Sequence, residues 1–443
     1  MTATNDKPNP PGATVATVSD KLSAAGAGVA ATNDALYDVI VIGAGMVGAS
    51  LACALTRPAS AQQAVPRVLL LEAAPISLQG APQQPGFDSR STVLSASSVD
   101  ALQNLALWPA LQGDAEPIST IVVSDQGRFG TVRLTAAEAG VAALGHVVEN
   151  GALGRAFNSA LLQADTFALQ SGVRVQRLQP IPGGMRVLLE DGTALQAALV
   201  VLAEGGRSAL AAQLGIVQQE RPYGQSAVIS NIACERPHAG YAWERFTPKG
   251  PLALLPLPDH AGEHRCALIW THPAAKAEAV LALLENEFLA RLQREFGAGL
   301  GALRKAGRRA LFPLALSVAT EQVRPALVLL GNAAHTLHPV AGQGFNLALR
   351  DAVALARHCR LALAAGESPG AMHWLRRYQQ AVTPDQKLTI DFSHHMTRLF
   401  ASPNPGAALA RQGGMLSLEL FPPLRHILAR QAMGYRQRRM ALQ

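Results

Sequence analysis

The residues best placed to do chemistry begin with Gly43-Ala44-Gly45-Met46-Val47-Gly48. They follow Asp38-Val39-Ile40-Val41-Ile42, a β-branched run of the kind that forms a strand buried on both faces. A helical stretch, Ala49 to Leu55, comes next and stops before Pro58. In that setting Gly43 permits a tight turn and Gly45 lets a pyrophosphate approach bare backbone. Gly48 lets helix and strand pack closely, with the helix N-terminus facing the anion. Glu72 closes a second apolar strand, Arg67–Leu71, at a spacing suited to an adenosine ribose hydroxyl. The chemistry is dinucleotide binding. A looser match, Gly297-Ala298-Gly299-Leu300-Gly301-Ala302, follows a polar helical segment and reads as a loop.

A second block runs from Gly331-Asn332-Ala333-Ala334-His335 through Pro339, Gly342, Gln343, Gly344, Phe345 and Asn346 to Asp351. It again goes strand, loop, helix. Gly342 and Gly344 leave backbone amides free to point at a ligand, and the helix that follows brings its positive end. A flavin edge suits such a site. His335 and His338 flank the loop; a histidine there is either a proton carrier or a packing residue. Their i,i+3 spacing without carboxylates gives no metal site.

The elements around these motifs alternate strand and helix up to about residue 218, apart from a hairpin at 173–187. Residues 151–170 read as helix and 199–203 as a buried strand. Between 225 and 272, alternating runs split by Pro and Gly turns read as an antiparallel sheet. Residues 277–296 return to helical period, and a helix is expected from about Phe345 to Leu363. The tail from 376 is helical and Arg-rich. Trp243 and Phe246 lie in the antiparallel region, where they either line a pocket or fill the core.

The 443-residue length fits two domains, and with 49 % hydrophobic and 16 % charged residues a wholly disordered chain is excluded. The net charge of +7 suits an anionic ligand or surface. No basic, aromatic-interleaved motif supports a nucleic-acid partner. Four dispersed cysteines give neither a zinc motif nor a disulfide framework, so a reducing cytoplasm is expected. Residues 1–35 read as a disordered leader. The Leu416–Leu442 segment mixes apolar residues with Arg425, Arg430, Arg436, Arg438 and Arg439. Two readings stand for it: an interfacial amphipathic helix, or a core-packing helix with a solvated basic end.

These blocks together resemble the class A flavin aromatic hydroxylases of the para-hydroxybenzoate hydroxylase fold, over about residues 37 to 425. Three motifs carry the resemblance in order: the glycine motif at 43–48, Ala203-Glu204-Gly205-Gly206-Arg207-Ser208, and the block at 331–344. Pro85-Gly86-Phe87-Asp88-Ser89-Arg90, Glu244-Arg245-Phe246-Thr247-Pro248-Lys249-Gly250-Pro251 and Leu337–Leu347 narrow it to the ubiquinone-biosynthesis hydroxylases, nearest those acting on 2-polyprenyl-6-methoxyphenol.

The resemblance implies an α/β chain, α+β in sum. A Rossmann-like FAD-binding domain (36–110, 146–218 and 311–375) would carry an antiparallel substrate domain (111–145 and 219–310) and a helical C-terminal region (376–443). It implies FAD, an NAD(P)H donor, O2 as cosubstrate and a C4a-hydroperoxyflavin that attacks the phenol ring. Gly43, Gly45, Met46, Val47, Gly48 and Glu72 would hold the ADP half. Arg90 would contact FAD; the alternative is a surface ion pair with Asp88. Glu204, Gly205, Gly331 and Asn332 would lie by the ribityl chain, and Pro339, Gly342, Gln343, Gly344, Phe345 and Asn346 by the ring; for Asn346 the alternative is a helix cap. His335 and Pro339 are the catalytic candidates. Asn332 and Glu204 each stand where the family carries Asp. A polyprenyl substrate implies contact with a membrane surface or with other ubiquinone-biosynthesis proteins. A non-catalytic flavoprotein scaffold is the alternative function. Trp108, Trp243, Trp270 and Trp374 form no W-x-W halogenase run.

Overall fold

The computed structural model describes residues 36–57, 64–83, 88, 90–128, 130–206, 208–339, 342–401 and 404–435. The expected leader, Pro85–Phe87, Ser89, Arg207, Val340, Ala341 and the arginines at 436, 438 and 439 lie outside them.

An eight-stranded sheet forms around the first strand, Leu36–Ile42. Val68–Glu72 pairs with it in parallel on one side and Ala194–Leu202 on the other. Leu327–Leu329 adds in parallel beyond 194–202, and Phe167–Ser171 beyond 68–72. Val39, Val41, Leu199 and Val201 are fully buried, because helices cover the sheet. Met46–Thr56 packs there with Asn150–Leu162 and Gln343–Ala364. The expected hairpin is Val175–Ile181 with Gly184–Leu189, antiparallel to Ala194–Leu202.

One expectation is corrected here. The helix read over 151–170 ends at Leu162, and 167–171 is the outermost parallel strand. Strand pairing with Val68–Glu72 outweighs the helical period once the chain has turned at Asp165-Thr166.

A nine-stranded sheet makes the second layer. Its long strand Gln218–Cys234 pairs antiparallel with Glu263–Pro273 and with Ala310–Ala319. Gly250–His260, Tyr241–Thr247, Thr120–Asp125 and Thr131–Thr135 follow in order, with 241–247 and 120–125 parallel. Residues 311–319 were expected with the FAD-binding elements. Their strand's ten-residue ladder along Gln218–Cys234 places them in this sheet instead, so the seam between layers falls near 320. Ala274–Leu281 and Glu285–Phe296 cover the far face, burying Phe288, Leu292 and Trp270. A small sheet of Ser91–Ser95, Gly145–Glu149 and Ala115–Ile118 bridges the layers. The tail folds as Met372–Ala401, which runs through Pro384, then Pro405–Leu420 and Pro422–Ala432.

Candidate active site

The strand order decides where the motifs meet. The chain leaves the first strand toward 68–72 on one side, yet 194–202 lies on the other, so sheet order reverses at this point. Ligands of open parallel sheets bind outside the carboxyl ends of strands at such a reversal. Gly43, Ala203-Glu204 and Leu330-Gly331 each follow the end of one of three adjacent strands. Backbone bonds stitch them together: Gly43 N–H donates to Leu71 O (2.8 Å), Ala203 N–H to Ile42 O (2.8 Å) and Leu330 N–H to Leu202 O (2.9 Å).

The glycines separate into two kinds. Gly43 has φ +102° and lies against Ala203, where a Cβ would come within 2.7 Å of the carbonyl oxygen. A Cβ on Gly48 would lie 1.8 Å from Gly43 O, and one on Gly331 2.8 Å from Val47 Cγ2. These three are glycines because protein fills the space beside them. Around Gly45 and Gly344, by contrast, a Cβ would meet nothing within 4 Å. Bare backbone facing open space at a helix N-terminus, with no protein to fill it, is a cradle for an anionic group. The residues thus fit a dinucleotide.

Glu72 bridges two amides of this cradle, accepting from Ala44 N–H (2.7 Å) and Ala74 N–H (3.0 Å). Glu204 accepts from the Ser208 hydroxyl, which also caps the helix that begins at Ala209. Arg90 pairs with Asp88 at 2.7 Å and lies 4.9 Å from the Phe312 ring centroid, yet it also lines the cavity. The ion-pair reading of Arg90 holds, and the side chain also faces the cavity.

From this cradle a cavity of about 1190 Å³ runs between the two sheets. That exceeds the ordinary range for one drug-sized ligand. Gly43, Gly45, Met46, Val47, Glu72, Arg90, Glu204, Gly205 and Asn332 line one end. Pro339, Gly342, Gln343, Gly344, Phe345 and Asn346 line its middle. Asn346 is fully buried, and its amide is committed to the protein: Oδ1 accepts from Ser95 N–H (2.8 Å), and Nδ2 donates to Val93 O and Gly342 O, both at 2.7 Å. It pins the glycine loop to strand Ser91–Ser95. It does not cap its own helix, whose N-cap is Gly342 with no side-chain cap bond.

His335 needs correction as a catalytic candidate. It pairs through the edge strand His335–Thr336 with Val318, and its ring points away from the cavity to a buried bond with Asp351 (Nε2 to Oδ2, 3.0 Å). His338 does reach the cavity, with Tyr223 edge-on at 5.1 Å, and burial depresses its pKa to about 4. A ring so depressed is neutral at pH 7 and holds no imidazolium proton to donate.

Phe246 and Trp243 fall on opposite faces of one strand. Phe246 lines the cavity and stacks on Phe400 at 3.4 Å. The Trp243 ring packs edge-on to Phe296 (5.7 Å) under the covering helices, and the residue is also among those lining the cavity, so both readings of it hold in part. Three features were not anticipated. Phe392, Met396 and Phe400 of the long helix enter the wall, as do Met415, Leu418, Leu428 and Ala432 of the two that follow. Glu244 lines the cavity too, its carboxyl lifted by burial to about 7. Its signal was in the sequence, as an acid midway along an alternating strand between Ala242 and Phe246.

Among the described residues no group of His, Cys, Asp and Glu could hold a metal ion. No helix among them is long and apolar enough to cross a membrane.

Known proteins place this geometry. The profile of the FAD binding domain family matches residues 36–393. The chain is 36 % identical to the ubiquinone hydroxylase UbiL of Rhodospirillum rubrum over 406 residues, covering 92 % of this chain and 91 % of that one. It is 30 % identical to the 3-demethoxyubiquinol 3-hydroxylase of Escherichia coli, covering 90 % and 97 %. The solved structure of p-nitrophenol 4-monooxygenase PnpA from Pseudomonas putida shares the fold, at 17 % identity and a TM-score of 0.72, covering 91 % of this chain and 99 % of that one. The chain belongs to the FAD-binding-domain flavoprotein family, in the group that holds these ubiquinone hydroxylases.

Proposed function

We propose that this chain is an FAD-dependent monooxygenase that hydroxylates the ring of a phenol bearing a polyprenyl tail, of the 2-polyprenyl-6-methoxyphenol type, in ubiquinone biosynthesis. NAD(P)H is the electron donor and O2 the cosubstrate. The observation that carries the reading is one continuous cavity with two chemistries. Its cradle end is bare glycine backbone and its far end is walled by aliphatic and aromatic side chains.

Bound FAD supplies oxygen activation after reduction by the donor. The protein's part is to hold and to exclude. Gly43, Gly45 and Gly48 set the backbone for the pyrophosphate, and Glu72 lies at the ribose position. Gly342 and Gly344 leave amides facing the ring system. Phe246, Phe392, Met396 and Phe400 close the phenol end against water, which protects reactive oxygen species from wasteful decay.

The tail needs a way in. Helices 405–420 and 422–432 line the cavity on one face and expose Leu409, Leu416, Leu420, Phe421, Leu424 and Ile427 on the other. Leu420 and Phe421, 63 % and 58 % exposed, form the tip between the helices, and the exposed Arg430 lies in the last turn of the second helix. An exposed apolar tip with a basic residue further along the helix suits a bilayer surface. The reading places the tail's entry at this hairpin.

The test is anaerobic reduction of the bound flavin by NADPH, with and without a short-tail 2-prenyl-6-methoxyphenol, followed by turnover in air. Product with one added oxygen atom supports the reading; reduction that yields only hydrogen peroxide with every phenol offered overturns it and favours a scaffold. Leu420→Glu with Phe421→Glu should cut binding to phosphatidylglycerol vesicles and leave short-tail turnover unchanged.

A further inference from the structure

The nine-stranded sheet turns one face to the cavity, and the strand register fixes what that face carries. One row crosses its middle: Val132, Val123, Glu244, Ala253, Ile269 and Ile229, all cavity-lining. Along its own strand Glu244 lies between Ala242 and Phe246, which face the same way. In every direction of the sheet its neighbours are apolar. Among the described residues its carboxyl has no hydrogen-bond or ion-pair partner. A carboxyl in such a wall costs stability unless something completes it, and no protein group does.

The other ionisable groups around the cavity are engaged or remote in contact. Glu72 holds backbone amides, Arg90 holds Asp88 and Glu204 holds Ser208. His338, lowered by burial to about 4, is a weak proton acceptor. Arg174 and Glu190 line the cavity as well but make no ion pair with Glu244. The strands either side of Glu244 present Val123 and Ala253 to it, both apolar. Arg245, next in sequence, points to the opposite face and donates to Phe296 O at 3.4 Å.

We propose that Glu244 is a catalytic residue, the acceptor of the substrate's phenolic proton, a role that rests on the function proposed above. A ring hydroxyl seated against this row meets one hydrogen-bonding side chain, and that side chain is an acceptor when ionised. As the ring carbon bonds to the oxygen atom being transferred, the phenolic O–H bond breaks. The proton passes to Glu244 and the O–H electron pair becomes a ring carbonyl bond. The hydroxylated carbon then loses its own proton to solvent, the ring regains aromaticity, and Glu244 returns its proton to the carbonyl oxygen. The carboxylate is regenerated, and the sum is phenol, O2, NAD(P)H and a proton giving hydroxylated phenol, NAD(P)+ and water. A carboxyl at about 7 is suited to this, since general bases work best near the operating pH.

The test uses FAD-loaded wild type and Glu244→Gln with a chromophoric ligand, a 2-alkyl-4-nitrophenol, whose ionisation is read by difference absorption. The wild-type carboxylate should hold the bound reporter protonated to higher pH, so the variant's midpoint should fall by about one unit or more. Turnover of a short-tail phenol at pH 8 should drop at least about 100-fold at unchanged FAD content, with loss of the acid limb near neutrality. Glu244→Asp, with its carboxylate set back, should be slow yet keep that limb. Equal reporter midpoints in an active wild type and the variant overturn this role alone. A wild type that binds FAD but takes up no reporter, or hydroxylates no phenol, overturns the function reading and this role with it.

Discussion

At the scale of single residues, the glycines give the sharpest division between fold and function. Gly48 touches Gly43 O closely enough that any side chain breaks the turn, whereas Gly45, at φ −67°, has ordinary backbone and open space beside it. Gly48→Val should therefore fail to fold. Gly45→Val should fold with a wild-type thermal midpoint and lose FAD, because its side chain fills only the cofactor's place. Circular dichroism with flavin absorbance on titration checks both; a Gly45→Val protein that retains stoichiometric FAD shows the pyrophosphate lies elsewhere. Both glycines were legible in the sequence, since a strand on one side and a helix on the other fix their roles. His335 was not. Which of two histidines three apart turns inward depends on the edge pairing of His335–Thr336 with Ala310–Ala319, a contact that local spacing does not encode.

At the scale of elements, a buried ion pair helps to fasten the C-terminal helices. Arg411 and Asp125 form an ion pair at 3.3 Å, both about as buried as the core, joining helix 405–420 to strand 120–125. Arg411 also donates to Leu399 O at 2.7 Å, bracing the preceding helix. Arg411→Met leaves the buried Asp125 carboxylate only the half-exposed Arg128 at 3.5 Å and should cost about 2 kcal/mol, read by chemical denaturation. Adding Asp125→Leu should recover most of that loss, because the cost lies in the weakly paired charge. If the double variant is as unstable as the single, packing and not charge holds the lid. The parallel strands and the glycine loops were legible from β-branched runs. The lid was legible only as helix. Its two-sided character, with Met415 and Leu418 inward and Leu416 and Leu420 outward, follows from what it packs against.

At the scale of the whole molecule, buried titratable groups set the response to acid. His272 and His338 have pKa values depressed by burial from 6.5 to about 4. Between those values the unfolded chain binds protons that the folded one refuses, so stability is lost as pH falls from about 6.5 toward 4. Each ring contributes up to about 3 kcal/mol. Glu244, raised from 4.5 to about 7, works in the opposite sense: the folded state holds its proton longer, and stability is gained as pH falls through that window. Thermal midpoints from pH 8 to 4.5 should therefore fall on acidification, more steeply in Glu244→Gln and less steeply in His272→Phe, whose ring would stay against Trp270. An acid response unchanged in both variants would show that these groups titrate normally. The two-layer architecture was legible in outline from the sequence, but the seam was not. Strand 310–319 belongs to the second sheet because its partner lies some ninety residues earlier, a distance over which periodicity carries no information.

The cavity's walls are drawn from residues as far apart as Ile42 and Ala432, and this orders events during synthesis. The glycine loops and their three strands are all made by residue 346. The helices that shut the apolar end, 405–432, come off the ribosome later. A nascent chain thus presents a formed nucleotide cradle beside a doorless oily chamber. Cofactor can seat at that stage, while hydrophobic guests in the cell have the same access.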